Sequence, residues 1–384
     1  MQINDKIEVK CLGQIAKGTI KLGDLTVLVG PQGSGKTLFL QWLKLIADSD
    51  AIIKVLKKYG FDWENDLSRF LTLYFGEGMS HLWLDNSEIY INDNIFQIKT
   101  KITQNHNKPE TMFLMPAQRV ITLRTGWPLP FSDYGIDTSF VTKNFSESMR
   151  QLMNWGTSEI IFPSKGKFNQ ELIKLLNASI FKNATVVLEK GLQKRIMLEL
   201  ENKKRLPFMV WSTGQREFVP LLLGLYWLLS TNLKKNQVKW VVIEEPEMGL
   251  HPKAISAVLL FLIQLLAQGY KLIISTHSAH VLDVVWAIQE IKRNQATPEL
   301  FLEIFDACLL NGFQETAHEI VNNKQFKTYY FSDDEEGTHI KDISELELSG
   351  EEISCWGGLT EFSSKIAHVV AKSARQNLIK QFQR

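Results

Sequence analysis

The stretch Gly30-Pro31-Gln32-Gly33-Ser34-Gly35-Lys36-Thr37 matches the spacing GxxxxGK[ST]. These residue types suit one chemistry, the holding of a phosphate chain. Glycines let backbone N–H groups wrap the phosphate oxygens, so Gly30, Gln32, Gly33, Ser34 and Gly35 are candidate phosphate contacts. Lys36 is placed to reach the β- and γ-phosphates, and the Thr37 hydroxyl to hold Mg²⁺. The spacing carries this meaning only between a strand and a helix. Here TVLVG precedes it, and Leu38, Leu40, Leu43, Leu45 and Ile46 come after it as one apolar helical face.

Two later stretches end apolar runs in polar residues. WVVIEEPEMGLHP presents Glu244 and Glu245 at the end of a strand. Beside a phosphate loop, the first carboxylate can hold Mg²⁺ directly or through water. The next can polarise a water for in-line attack on the γ-phosphate. LIISTHSAH ends in Thr276-His277, where an imidazole can donate a hydrogen bond to the γ-phosphate. His277 and His280 also form HxxH, but without the Glu of HExxH or a neighbouring Cys, which weighs against zinc.

Several elements must position these residues. IEVKCLGQI is read as a strand, Lys17-Gly18 as a turn, and TVLVG, after Gly23-Asp24, as the next strand. Residues 70–102 hold short alternating segments (FLTLYF, HLWLD, EIYIN, NIFQIKTKI) that predict an antiparallel β-layer. TMFLM is a strand ending at Pro116-Ala117-Gln118-Arg119. FSESMRQLMNW and NQELIKLLNASIF read as short helices in a turn-rich lobe, followed by a hairpin, ATVVLE and KRIMLEL. A helix from Phe218 to Leu229, a strand at Trp240–Ile243, another helix and the strand Leu272–Thr276 complete the pattern. Strand–helix alternation predicts an α/β fold with a parallel, doubly wound core. The expected division is 1–125 (first half of the core with the β-layer), 126–205 (helical lobe with hairpin) and 206–384 (second half with a C-terminal extension).

Together these pieces resemble the ABC-type ATPases. More narrowly, they are similar to the soluble branch holding the structural-maintenance-of-chromosomes proteins, the OLD nucleases and the ATPases of bacterial anti-phage systems. The resemblance covers residues 7–46, 112–124 and 206–285, and says little about 130–205 or 290–384. It implies an ATPase head using ATP and Mg²⁺. Glu245 becomes the catalytic base, Glu244 the Walker B metal carboxylate and His277 the switch histidine. Gln118 becomes the Q-loop glutamine, touching Mg²⁺ and the attacking water. Met248-Gly249-Leu250-His251 takes the D-loop place. Ser212-Thr213-Gly214-Gln215 looks like the signature, which in this family meets the nucleotide of the opposing subunit. By itself that stretch is an ST-x-G turn capping a helix, whose free N–H groups suit an anion. Many members carry Asp where Glu244 stands, and Asn where Gln32 stands. The resemblance further implies a homodimer or higher homo-oligomer and a separate effector protein, plausibly a nuclease in antiviral defence or DNA repair.

Composition bounds the alternatives. The chain has 384 residues, 45% apolar and 22% charged, with net charge +1, so no global field draws it to nucleic acid or membrane. Contact with nucleic acid is left open, because Lys203-Lys204-Arg205 or Lys54, Lys57 and Lys58 form local basic runs, which as a class are solvated faces. Cys11, Cys308 and Cys355 make no CxxC and suit a reducing compartment. The N-terminus has no apolar signal region. Val219–Ser230 and Ala254–Ala267 are shorter than the ~20 residues that span a bilayer. A cytoplasmic protein is expected. The alternative is the energy subunit of a membrane transporter, against which stand EEPE, LHP and the long interval between residues 37 and 211. A small-molecule kinase leaves STGQ and His277 unexplained. The acids Asp333-Asp334-Glu335-Glu336 read as a β-hairpin tip closed by Gly337 rather than a nuclease metal site. About 100 residues follow His277, too few for a full nuclease domain, so the nuclease is expected on another polypeptide.

Overall fold

The computed structural model describes residues 1, 5–103, 108–154, 159–164, 169–191, 193–229, 237–305 and 312–345. Cys308, Cys355 and residues 346–384 of the expected C-terminal extension lie outside them. The chain opens with β1 (Lys6–Leu12), β2 (Ile15–Lys21), β3 (Leu25–Val29) and the long helix α1 (Lys36–Lys58). The first turn falls at Gly13-Gln14, not at Lys17-Gly18. Gly13 takes φ +59, which glycine tolerates without strain, whereas Lys17 and Gly18 lie inside β2 opposite Lys10 and Val9.

The expected β-layer is only partly sheet. FLTLYF belongs to α2 (Leu67–Phe75), capped by Asp66, which accepts from the Arg69 amide. Phe70, Leu71, Tyr74 and Phe75 are buried together, so the apolar spacing there is a helical stripe and not strand alternation. β4 (Trp83–Ile91) and β5 (Asn94–Ile95) are strands, but α3 (Ile98–Thr103) again buries Ile98 and Ile102 at helical spacing.

Then come β6 (Met112–Met115), α4 (Phe140–Asn154), β7 (Ile160–Phe162), α5 (Gln170–Leu176), β8 (Thr185–Lys190), β9 (Lys194–Glu199) and β10 (Arg205–Pro207). α6 spans Thr213–Leu229 and so begins ahead of the expected Phe218. The second half continues with β11 (Trp240–Glu244), α7 (Pro252–Ala267), β12 (Lys271–Thr276), α8 (Ala279–Arg293), α9 (Leu300–Glu303), α10 (Gln314–Asn323), β13 (Phe326–Asp334) and β14 (Gly337–Asp342).

Among the described residues the strands form a ten-stranded sheet, β5-β4-β1-β2-β14-β13-β3-β12-β11-β6, and a four-stranded one, β10-β9-β8-β7. The fold is mixed α/β. β13, β3, β12, β11 and β6 run parallel to one another, so their C-terminal ends share one edge. Their apolar runs are unbroken because both faces are covered. Leu28, Val242 and Ile273 pack with α1 on one face. Val27, Val241 and Ile274 pack with α6 and α7 on the other, in a core continuous with the four-stranded sheet. Asp48 breaks helical geometry inside α1 at φ −131 and accepts from the amides of Thr111 and Met112. That contact, backed by the buried ion pair of Lys44 with Asp48 (2.7 Å), sets where β6 begins. No helix among the described residues is long and apolar enough to cross a membrane.

Candidate functional site

The phosphate loop, the paired acids and the histidine sit where buried parallel strands surface. After β3 the chain turns through Gly30, Gly33 and Gly35 at φ +148, +82 and +87. A side chain cannot replace Gly30, because a Cβ there would lie 2.6 Å from the Phe331 carbonyl oxygen. Gly35 is the N-cap of α1 and no side chain caps the helix. Its first N–H groups are therefore free for an anion, which the helix dipole also favours. Lys36 Nζ donates to the carbonyls of Gly30 (3.0 Å) and Pro31 (2.7 Å) and to Ser34 Oγ (3.2 Å). Burial lowers its pKa to about 8, against the opposing pull of Glu245 and Asp333. Ser34 Oγ donates to the Pro31 carbonyl (2.9 Å), and Gln32 is exposed.

β11, separated from β3 by β12 in the sheet, supplies the acids. Thr37 Oγ1 donates to Glu244 Oε2 at 2.7 Å, joining α1 to the end of β11. Burial pushes the Glu244 carboxyl up to about 7, with the Thr37 hydroxyl pulling the other way. Its Oε1 is buried without a hydrogen-bond partner among the described residues. A buried, unsatisfied carboxylate oxygen beside a hydroxyl is the hard oxygen donor set that Mg²⁺ prefers. Thr37 and Glu244 therefore fit that ion.

Glu245 takes φ +45, a strained value for a non-glycine residue and one that collects at functional sites. Its amide donates to the Ser275 carbonyl (2.9 Å) on β12, and its Oε1 lies 3.3 Å from His277 Nε2. The structure thus brings Glu245 and His277 together. The His277 turn is fastened by Glu247, whose Oε1 accepts from Thr276 Oγ1 (2.6 Å) and the His277 amide (2.9 Å). His280 turns away to Ser256 Oγ (3.0 Å), so the two imidazoles of HxxH are held by different partners.

Gln118 lies at the end of β6, beside β11, where it leads a 3₁₀ turn; its side chain is exposed and is not hydrogen-bonded to Thr37, Glu244 or Glu245. The next residue does more in this structure. Arg119 is fully buried, and its guanidinium donates to the carbonyls of Glu217 (3.0 Å), Glu244 (2.8 Å) and Glu245 (3.0 Å). Burial lowers its pKa, while Glu217, Glu247, Glu245 and Glu244 pull it back up. One fork therefore ties α6, β11 and the strained Glu245 into a unit. Nothing in the sequence signals this, since backbone carbonyls that serve as acceptors leave no mark on residue type.

Ser212-Thr213-Gly214-Gln215 starts α6. The Ser212 amide donates to Gln215 Oε1 (3.1 Å) and the Gln215 amide to Ser212 Oγ (3.4 Å), a reciprocal capping box. Gln215 also donates to the Ile180 carbonyl (3.2 Å), while Ser212 and Thr213 stay exposed. Gly214 packs on the Met248–His251 turn, where a Cβ would lie 2.8 Å from the Gly249 carbonyl oxygen.

Similarity to solved structures is distant. An SMC head bound to the C-winged helix domain of ScpA shares 11% identity, covering 88% of this chain and 96% of that one, at a TM-score of 0.42. The SMC head domain from Thermotoga maritima shares 13%, covering 89% and 99%, at 0.34. A dimeric bacterial ABC transporter cassette shares 12%, covering 72% and 89%, at 0.33. No curated protein matches the sequence. Residues 54–283, more than half of the chain, match the profile described as "AAA domain, putative AbiEii toxin, Type IV TA system", and the chain belongs to that family.

Proposed function

We propose that the chain is an ATP-hydrolysing switch that closes on a second copy around ATP and controls a separate effector. The observation that carries this is the 2.7 Å bond from Thr37 to Glu244, with the Glu245–His277 pair joining the ends of β11 and β12 on the same edge. Gly30, Gln32, Gly33, Ser34, Gly35 and Lys36 bind the phosphates. Thr37 and Glu244 would hold Mg²⁺, with Gln118 the third residue assigned to it; bound there, the ion would neutralise phosphate charge. Glu245 orients and deprotonates the attacking water, and His277 donates to the γ-phosphate. Ser212, Thr213, Gly214 and Gln215 serve the partner copy's nucleotide. Residues 1–125 and 206–384 make up the nucleotide-handling halves, with 126–205 between them. The effector is a nuclease of antiviral defence or DNA repair on another polypeptide; a family description that names a toxin of a type IV TA system fits a chain that works with a second protein. No feature of the site favours a membrane transporter subunit.

Phosphate release from ATP with Mg²⁺ and no added acceptor tests the central claim. Glu245→Gln is expected to keep ATP binding and lose hydrolysis by about a hundredfold or more. Hydrolysis at the wild-type rate in that variant overturns the role of Glu245.

A further inference from the structure

The acids Asp333–Glu336 do form a hairpin tip, between β13 and β14, as their flanks predict. The neighbour of that hairpin is unexpected. β13 lies parallel to β3 with Tyr330 opposite Val29, so the tip emerges beside the P-loop at the edge that also carries Glu245 and His277. Phe331 fixes which way the end of β13 faces. Its ring meets Phe39 of α1 edge-on, with centroids 5.9 Å apart. Residues two apart in a strand share a face, so Asp333 lies on the α1 side as well. Moving from Phe331 towards the strand end leads to the N-terminus of α1, because β3 ends where α1 begins.

Asp333 is held in that place. Its Oδ1 accepts from Thr338 Oγ1 (2.6 Å), and the Thr338 amide donates to the Gln14 carbonyl (2.8 Å). Gln14 Nε2 in turn donates to the Gly33 carbonyl of the P-loop (2.6 Å). Hairpin and phosphate loop are thus chained through one glutamine. Gly337 permits the close approach, since a Cβ there would lie 2.8 Å from the Gln14 carbonyl oxygen. Together with Glu245, Asp333 is an acid whose charge acts on Lys36.

We propose that Asp333 is a selectivity residue of the nucleotide site, a fixed carboxylate that competes with the triphosphate for Lys36 and for the free end of α1. This deepens the proposed function and rests on Gly30–Thr37 being the nucleotide site. The opposition grows with ligand charge, so Asp333 weakens ATP more than ADP and narrows the difference between them. It is a charge effect between an exposed carboxylate and a buried ammonium, and salt screens the exposed partner.

The test measures ATP and ADP affinity, each with Mg²⁺, for the full chain at low and high salt. Wild type is compared with Asp333→Asn, Glu335→Gln and Lys36→Ala. Asparagine keeps an acceptor for Thr338, so the hairpin stays closed. Asp333→Asn is expected to tighten ATP binding about five- to twentyfold at low salt, ADP less, and both less at high salt. Glu335→Gln, at the tip, stays within about twofold of wild type. Unchanged or weaker ATP binding in Asp333→Asn overturns the proposal. Should wild type bind ATP no better than Lys36→Ala, the nucleotide site itself is refuted. Loss in Lys36→Ala with no gain in Asp333→Asn refutes the selectivity role alone.

Discussion

At the P-loop edge polar groups reach across the chain, whereas at the Ser212–Gln215 turn the backbone amides are capped locally. Thr37 bonds to Glu244, 207 residues away, and Arg119 gathers carbonyls from two further elements. Glu244 keeps an unsatisfied oxygen and Glu245 a strained backbone. The turn, by contrast, caps its own helix and leaves Ser212 and Thr213 in solvent. A buried polar atom without a partner is costly, and Glu244 Oε1 has none among the described residues, so the edge suits a cation there. The turn is satisfied by its own cap and by the Ile180 carbonyl, and its hydroxyls are exposed to another molecule. The proposed function gives the first region a nucleotide and the second a second copy of the chain.

The largest expected effect breaks the edge. Lys36→Ala removes the charge facing the phosphates and should lower ATP affinity by about a hundredfold or more, read by equilibrium binding. Affinity within a few-fold of wild type would place the nucleotide elsewhere.

Arg119→Lys asks whether the edge works as a unit. Lysine keeps the charge but cannot span the carbonyls of Glu217, Glu244 and Glu245 with a planar fork. The turnover number should fall about ten- to a hundredfold, with ATP affinity changed less than about threefold and a melting temperature lower by a few degrees. Equal losses in affinity and turnover would reduce Arg119 to a general packing role.

The turn is probed by mixing. Gly214 is a poor target, since any side chain there meets the Gly249 carbonyl of its own chain. Ser212→Glu keeps an acceptor for the helix cap and sets a carboxylate where a partner's phosphate would come. Alone, it and Lys36→Ala should both be inactive. Mixed in equal amounts and allowed to exchange, they should recover about a quarter of wild-type sites, because one site in each mixed pair is whole. Mixtures that stay dead at every ratio would show that the turn serves its own nucleotide.

The smallest effect concerns Met209 and Val210, 52% and 62% exposed just ahead of the turn. Met209→Ser should shift the melting temperature by no more than about 2 °C, as surface changes do. In a Glu245→Gln background it should weaken ATP-dependent pairing several-fold by sedimentation. Unchanged pairing would move the contact surface away from the turn.

Contiguous chemistry was legible from sequence. Gly30–Thr37, Glu244-Glu245 and Thr276-His277 each combine an apolar strand with the polar residues at its end, and a local pattern survives folding because strand ends surface together. The same logic gave the parallel core and the hairpin at Asp333–Glu336. Residues 70–75 misled because Phe, Thr and Tyr favour strands, while burial of Phe70, Leu71, Tyr74 and Phe75 on one stripe decides for helix. What joins the patterns was invisible. Arg119 finds backbone carbonyls, Glu247 fastens the His277 turn, and β13 delivers Asp333 to the P-loop. Residue types set what each strand end can do. Strand order alone decided which ends stand side by side, because register and neighbour choice arise from packing across the whole sheet.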